Sequence, residues 1–177
     1  MRPKDSGFTL TEILVASVVA VLLLGSVYGT FITSRTIFTT TLEAANLQRD
    51  VNVLLQKIIR GRQEGSDMSG LRRAVSFTIP VVNPTGSEID FTGTDNQSRR
   101  YFLNGKSVVY ASPILFPSQR TLYTAPTDAS ITLRFWKPVE YVDNETVGIY
   151  ISVSRQIGGG TVSGSLSTYV NLRNTPK

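Results

Sequence analysis

The sequence predicts an α+β fold in which one long N-terminal helix packs against one antiparallel β-sheet. Two patterns lead to this prediction. The first is an apolar run over residues 8–32 that continues with helical spacing to about residue 60. The second is an alternation of apolar and polar residues that begins near residue 75. Because such strands have one apolar face, the helix is the element available to cover them.

The apolar run is long enough to cross a membrane. Within residues 8–32 the only residue charged at neutral pH is Glu12, and roughly 20 apolar residues span a bilayer core. Arg2 and Lys4 precede the run, so the positive-inside rule places the N-terminus in the cytoplasm and the rest of the chain outside.

A cleaved signal peptide and a plain signal anchor are two alternatives for this run. The apolar part of a signal peptide has about 7–15 residues and ends at small residues, whereas this run is longer and no Ala-x-Ala site follows it. Glu12 argues against a plain anchor, because a carboxylate within a bilayer costs about 3 kcal/mol and normally has a partner. No basic residue lies one turn away, where the chain has Phe8, Thr9, Val15 and Ala16.

A cut after Gly7 would provide a partner for Glu12. It would create a new α-amino group on Phe8, and Glu12 could pair with this amine in its own chain or in a neighbouring chain. In the second arrangement Glu12 would hold two subunits together.

The segment from Gly7 to Ala16, Gly-Phe-Thr-Leu-Thr-Glu-Ile-Leu-Val-Ala, resembles the processing and assembly signal of type IV prepilins and type II secretion pseudopilins. The resemblance implies that a prepilin peptidase cuts between Gly7 and Phe8 and N-methylates Phe8. It also implies that Glu12 pairs with a neighbouring subunit's amine during filament assembly. One departure is that Gly25 and Gly29 stand where many such helices carry a proline.

This resemblance, together with the pattern of the chain, predicts three segments. Residues 1–7 are a leader peptide removed on processing, and residues 8–33 are the transmembrane and filament-core half of the helix. Residues 34–177 are a soluble domain, with helix over 34–60 and antiparallel sheet over 75–174. The arrangement is similar to the pilin fold, although the likeness beyond the first helix is only architectural.

The soluble half of the helix is predicted to be amphipathic. Its apolar positions follow helical spacing, and Gly61 and Gly65 are expected to end it. The predicted apolar stripe consists of Leu47, Val51, Leu54, Leu55, Ile58 and Ile59.

The strands are predicted from alternating positions and turn residues. We expect a hairpin over 100–110 with a type I′ turn at Asn104-Gly105, and a long closing hairpin over 147–172 around Gly158-Gly159-Gly160. Residues 111–130 are rich in Pro, Ser and Thr and are expected to form a loop. The remaining strands are expected around Val75–Ile79, Ile89–Phe91 and Ile131–Phe135.

Two short clusters are candidates for binding sites. The basic doublets Arg72-Arg73 and Arg99-Arg100 lie near aromatic residues, as in single-stranded nucleic-acid sites, but they also lie at predicted strand edges, where charge discourages aggregation. Asp143-Asn144-Glu145 offers oxygen ligands, yet three adjacent residues cannot supply the 6–8 ligands of calcium, and turn chemistry explains them equally well.

The composition excludes common catalytic sites. The chain has no cysteine and no histidine, which excludes Ser-His-Asp and Cys-His catalysis and histidine-ligated metals. No nucleophile motif or phosphate-binding loop is present. A net charge of +5 is typical of a solvated surface. We therefore expect no enzyme activity, no catalytic residues, no cofactor and no metal.

The resemblance leads to the expectation of a minor pilin or minor pseudopilin that primes or caps a type IV pilus or a type II secretion pseudopilus. Its partners would be other pilin or pseudopilin subunits, the prepilin peptidase and the inner-membrane assembly platform. It would reside in the bacterial inner membrane before assembly and in the filament afterwards. The alternatives are a DNA-binding pilus subunit for DNA uptake and a plain signal-anchored surface protein.

Overall fold

The computed structural model describes residues 8–61, 70–79, 85–113, 118–138 and 146–172. The chain divides into two compact units, the first ending at Thr41 and the second beginning at Leu42.

One long helix and a set of short to medium strands form the described part of the chain. The helix, α1, runs over Leu10–Arg60, and a single 3₁₀ turn lies at Leu71–Arg73. The strands, in chain order, are β1 (Ser76–Thr78), β2 (Thr85–Gly86), β3 (Glu88–Thr92), β4 (Ser98–Asn104), β5 (Ser107–Ala111), β6 (Gln119–Thr124), β7 (Ala129–Trp136), β8 (Thr146–Ile157) and β9 (Gly160–Asn171). The predicted α+β class, with a long N-terminal helix and antiparallel strands, is confirmed.

The first unit contains the apolar part of α1. Val15 and Leu22 are more than half exposed, at 60 % and 68 %. The hydroxyl of Ser17 donates to the Leu14 carbonyl at 2.8 Å, and Thr30 bonds one turn back in the same way. This part of α1 is long and apolar enough to cross a membrane. Apolar side chains around internally bonded hydroxyl groups suit a lipid environment.

The strands form two antiparallel sheets, with the orders β1-β3-β4-β5-β6 and β2-β7-β8-β9. The sequence predicts one sheet, and the structure differs because the chain changes sheets at Ser87. β2 pairs with β7, whereas β3, one residue later, pairs with β1 and β4. The Ser87 carbonyl accepts a hydrogen bond from the Leu103 N–H at 3.2 Å. Alternation within each strand gives no sign of such a crossing.

In the second unit, α1 buries the apolar stripe that its spacing predicts. Leu47, Val51, Leu54, Leu55 and Ile58 are buried. Ile59, also predicted on this stripe, is half-buried beside the core. Strands of both sheets contribute to the same core, through residues that include Ile89, Phe91, Tyr101, Tyr110, Leu133, Phe135, Ile149 and Ile151. One hydrophobic core therefore joins this part of the helix to both sheets.

Both predicted hairpins are present, and the turn of the first hairpin differs from the predicted one. Asn104 pairs with Ser107, so the first turn consists of Gly105 and Lys106, and only Gly105 has a positive φ, of 59°. This is the pattern of a type II′ turn, and the predicted type I′ turn at Asn104-Gly105 is wrong. In the closing hairpin, the glycines at 158 and 159 both have positive φ, as a type I′ turn requires.

β6 lies within the stretch 111–130 that the sequence predicts to be a loop, and the prediction is wrong over Gln119–Thr124. The strand pairs with β5 at the edge of the five-stranded sheet. Its two large apolar residues, Leu122 and Tyr123, are adjacent and both half-buried. An edge strand with so little alternation lacks the signal that identifies strands in a core.

The closing hairpin touches the helix where β9 carries a glycine. A Cβ atom on Gly164 would lie 2.7 Å from both the Gln48 nitrogen and the Leu47 carbonyl carbon. Beside it, the Gln48 side chain donates to the Ser165 carbonyl at 3.3 Å and accepts from the Ser165 N–H at 3.2 Å. The Gln48 carboxamide thus pairs with both the N–H and the carbonyl of Ser165, which lies on the edge strand β9.

Candidate functional site

The candidate site is the start of α1. Phe8 and Thr9 lie outside the helix, which begins at Leu10. The Thr9 carbonyl accepts the first intrahelical bond, from the Ile13 N–H at 3.2 Å, so Thr9 is the N-cap residue. Phe8 is 84 % exposed. Gly7, the other residue of the predicted cleavage site, lies outside the described residues.

Thr9 and Glu12 form a capping box. The backbone N–H of Thr9 donates to Glu12 Oε2 at 2.8 Å, and the Thr9 hydroxyl donates to the same oxygen at 2.9 Å. In return, the Glu12 N–H points to the Thr9 hydroxyl oxygen at 3.3 Å. Two N–H groups that a helix start would otherwise leave unpaired are satisfied in this way.

Although the sequence has no basic residue one turn from Glu12, the carboxylate does have a hydrogen-bond partner in its own chain. This partner is the neutral Thr9. The Thr-x-x-Glu spacing of residues 9–12 is itself the sequence signature of a capping box and could have revealed the pair. None of the ion pairs between described residues involves Glu12. Within this part of the chain its carboxylate accepts hydrogen bonds, but no cation neutralises its charge.

A shallow groove runs along the helix face below Glu12. It is lined by Thr11, Glu12, Val15, Ala16, Val19, Ala20 and Leu23. Two of these, Ala16 and Ala20, are small residues four positions apart, a spacing that lets two membrane helices approach closely. The face therefore combines a carboxylate at its end with a surface suited to another helix.

The doublet Arg99-Arg100 lies on β4 and is compensated by carboxylates. Arg99 is 4 % exposed, and its Nη1 donates to Asp95 Oδ1 at 2.7 Å. This hydrogen bond holds the pKa of Asp95 well below its usual range. A Cβ atom on Gly93 would lie 2.2 Å from Nη1, so the glycine leaves the space that the guanidinium occupies.

Arg100 pairs across the strands with two acidic residues of β3. It lies opposite Asp90 in the register, and its Nη2 donates to Asp90 Oδ2 at 2.9 Å. Oε2 of Glu88 lies 3.7 Å from Nη1 of Arg100. The pair with Asp90 raises the pKa of Arg100. The geometry therefore gives no support to nucleic-acid contacts at this doublet.

The second doublet, Arg72-Arg73, lies on the 3₁₀ turn and not on a strand. Arg72 and Arg73 end the 3₁₀ turn, and Arg72 lines a cleft of the second unit beside Ile59, Tyr169 and Asn171. The two doublets thus lie beside different sheets. Asp143-Asn144-Glu145 lies outside the described residues, and the structure does not test the calcium alternative.

Comparison with known proteins gives one match. A family model described as the prokaryotic N-terminal methylation motif matches residues 2–28, which include the cap, Glu12 and the groove. No curated protein and no solved structure matches the chain.

Proposed function

We propose that this type IV prepilin-like chain is cut between Gly7 and Phe8 and then polymerises through α1 as a minor pilin or pseudopilin. The observation that carries the proposal is the Thr9–Glu12 capping box, directly after the proposed cut and within the matched segment. An N-terminal methylation motif followed by an exposed apolar helix is consistent with a structural subunit rather than an enzyme.

The proposed processing step uses the chain just before the helix. Hydrolysis of the Gly7–Phe8 bond by the prepilin peptidase leaves a carboxylate on Gly7 and an amine on Phe8, which is then methylated. Phe8 and Thr9 precede the helix, and the first intrahelical hydrogen bond is the one that the Thr9 carbonyl accepts, so the backbone of Phe8 lies outside the helical hydrogen bonds. That supports access to the bond by a peptidase.

The proposed assembly step uses the charge of Glu12. Both Thr9 donors bind Oε2, and among the described residues no hydrogen bond to Oε1 is formed. The amine of a neighbouring subunit's Phe8 would add a cation at Oε1 without removing the cap. Pairing relieves the cost of a charge within the bilayer, so the chain is more stable in a filament than alone.

Glu12 also supports a proposed position in the filament. A subunit with Glu12 accepts another subunit's amine, so we place this one beneath at least one other, in a priming or capping complex. The N-terminus would be cytoplasmic, the second unit would lie outside the inner membrane, and the assembly platform would be a partner. The filament is a type IV pilus or a type II secretion pseudopilus.

The mature N-terminus tests this function. The chain is produced with and without an active prepilin peptidase, and its mass is measured. We expect loss of residues 1–7 and one added methyl group on Phe8 only when the peptidase is active. An intact Met1, or a cut at another bond, would leave the plain signal-anchored protein as the better description.

The alternative of a DNA-binding pilus subunit is tested separately. The full chain in detergent is mixed with single-stranded DNA in a gel-shift assay at several salt concentrations. Binding that weakens steeply with salt and depends on Arg72 and Arg73 would favour that alternative, whereas the pilin proposal alone predicts no shift.

A further inference from the structure

An aromatic pair at one end of the four-stranded sheet has no part in the proposed assembly mechanism. Trp136 on β7 and Tyr169 on β9 lie in one row, with Gly148 of β8 between them. The row is on the face opposite the core, because the neighbouring Phe135 and Ile149 are buried. The ring centroids are 5.8 Å apart and the ring planes meet at 77°. The two rings therefore form a corner with two apolar walls.

The position of the indole depends on Gly148. A Cβ atom there would lie 2.2 Å from Cε2 and 2.6 Å from both Cδ2 and Cζ2 of Trp136. Because the Cβ direction points at three ring atoms together, the indole lies across the surface of the sheet at this residue. Glycine weakens a paired strand and often marks a close approach, and here the approaching group is the ring of Trp136.

Tyr169 is an exposed aromatic residue on the outer face of the four-stranded sheet. It is 61 % exposed. Leu42 and Val53, the other large hydrophobic side chains of the second unit that are strongly exposed among the described residues, lie on α1 and not on a sheet. Tyrosine and tryptophan combine an apolar body with a polar tip and are enriched at binding surfaces.

The rows next to the aromatic pair carry hydrogen-bonding side chains and no acidic group. The first two rows contain Arg134, Tyr150 and Ser167, then Thr132, Ser152 and Ser165, and the third row consists of serines. Arg134 is the one charged residue in them. Rows on one face are roughly 7 Å apart, so this polar surface extends roughly 20 Å from the corner.

We infer that this face binds a neutral polysaccharide, with one sugar ring in the Trp136–Tyr169 corner and further rings along the hydroxyl rows. The faces of sugar rings present C–H groups that pack on aromatic rings, and their edges carry hydroxyls that pair with serine, threonine and tyrosine. A nucleic acid would need a series of cations along its backbone, whereas the rows along which the ligand would extend hold one, Arg134, and Arg72 lies beside Tyr169 at the corner. The inference uses only the second unit and does not depend on filament assembly.

The chain carries its own reporter for this site. Trp136 is its one tryptophan, so its fluorescence responds directly to binding in the corner. The full chain is kept in a zwitterionic detergent, because detergents with sugar headgroups would compete. It is titrated with hexasaccharides of β-linked glucose, α-linked glucose and N-acetylglucosamine, and with a short oligothymidylate.

We expect a saturable change in fluorescence with at least one hexasaccharide and none with oligothymidylate. No change with any of the three hexasaccharides, or saturation by oligothymidylate alone, would overturn the inference.

Variants separate the corner from the rest of the surface. Tyr169→Ala should weaken hexasaccharide binding about tenfold. Tyr169→Phe keeps the ring, and its affinity should stay within about threefold of wild type. Gly148→Ala should displace the indole and remove binding while leaving every exposed polar group in place. Val53→Ala, at an exposed site on α1, is the matched control and should change nothing. Equal affinity of wild type and Tyr169→Ala would place the ligand elsewhere and reject the site.

Discussion

The carboxylate of Glu12 accepts two hydrogen bonds from Thr9, at 2.8 Å from the backbone N–H and 2.9 Å from the hydroxyl. The same residue is the proposed contact for a neighbouring subunit's amine. Glu12 therefore has two roles that depend on different properties. Capping needs only an acceptor oxygen at this position, whereas pairing with an amine needs the negative charge.

The first prediction separates these roles by removing the charge. Glu12→Gln retains an acceptor oxygen for the cap but cannot neutralise an amine, and Glu12→Ala loses both. We expect both variants to be cut after Gly7, because the bond lies before the helix, and both to be absent from filaments. Cleavage is measured by the mass of the mature chain, and incorporation by the amount of chain in sheared filaments.

Glu12→Asp is the control for this prediction, since it keeps the charge on a shorter side chain and should retain part of the incorporation. Filaments with a normal content of the Glu12→Gln chain would contradict the assembly role. Failure of all three variants to be cut would instead point to a role of Glu12 in recognition by the peptidase.

The second prediction concerns Thr9 as the helix cap. Thr9→Ala removes the hydroxyl that pairs with Glu12, and loss of an N-cap side chain typically costs about 1 kcal/mol. Amide hydrogens of the first turn, such as that of Leu14, should exchange about fivefold faster in detergent micelles. Thr9→Ser retains the hydroxyl and should exchange at the wild-type rate. Equal exchange in all three chains would show that the cap contributes nothing to the start of α1.

The sequence allowed prediction of the elements with a long periodic pattern. Residues 10–60 form one helix, and the alternation from Val147 to Val170 identifies the closing hairpin. The position of Glu12 in an apolar run was visible, as was the Thr-x-x-Glu spacing that explains its local partner. In these regions, local pattern and tertiary packing favour the same structure.

Elements that depend on distant pairing were harder to predict. β6 is defined by its partner β5 rather than by its own alternation. The burial of Arg99 depends on Asp95 and on the space left by Gly93, and a doublet of arginines gives no sign of this arrangement. The corner of Trp136 and Tyr169 joins residues on two strands with a third between them, so only the register brings it together.

The third prediction is an acid sensitivity caused by Asp95. Its pKa is lowered from 3.8 by the hydrogen bond from Arg99. A lowered pKa in the folded state contributes stability that is present above about pH 4 and is lost as the pH falls through the folded value. Asp95→Asn should be less stable than wild type at pH 7 and should lose less stability than wild type on acidification below pH 4. Urea unfolding followed by Trp136 fluorescence measures both.

Asp128→Asn is a matched control for the loss of stability that Asp95→Asn should show at neutral pH. Arg155 also lowers the pKa of Asp128, but Arg155 has a second partner in Glu43. Among the described residues, the buried Arg99 forms an ion pair with Asp95 and with no other carboxylate. The loss of stability at pH 7 should therefore be larger in Asp95→Asn than in Asp128→Asn. An unchanged acid response in Asp95→Asn would contradict the assignment.

The fourth prediction tests the contact between β9 and α1. On Gly164, an added Cβ atom would lie 2.7 Å from backbone atoms of Leu47 and Gln48. Backbone cannot rotate away as a side chain can, so the helix would have to move from the sheet and loosen the Gln48–Ser165 hydrogen bonds. We expect Gly164→Ala to destabilise the second unit by about 1–3 kcal/mol, measured as a lower urea midpoint of Trp136 fluorescence.

Gly160→Ala is the matched control because it lies on the same strand and has a different environment. The nearest atom to its added Cβ would be the Ile157 carbonyl oxygen at 3.8 Å, an ordinary contact. Its effect should stay within about 0.5 kcal/mol. If the two substitutions had equal effects, the cost would come from glycine replacement in β9 in general. A loss confined to Gly164→Ala requires the close approach of the helix, because strand, residue type and added volume are the same in both variants.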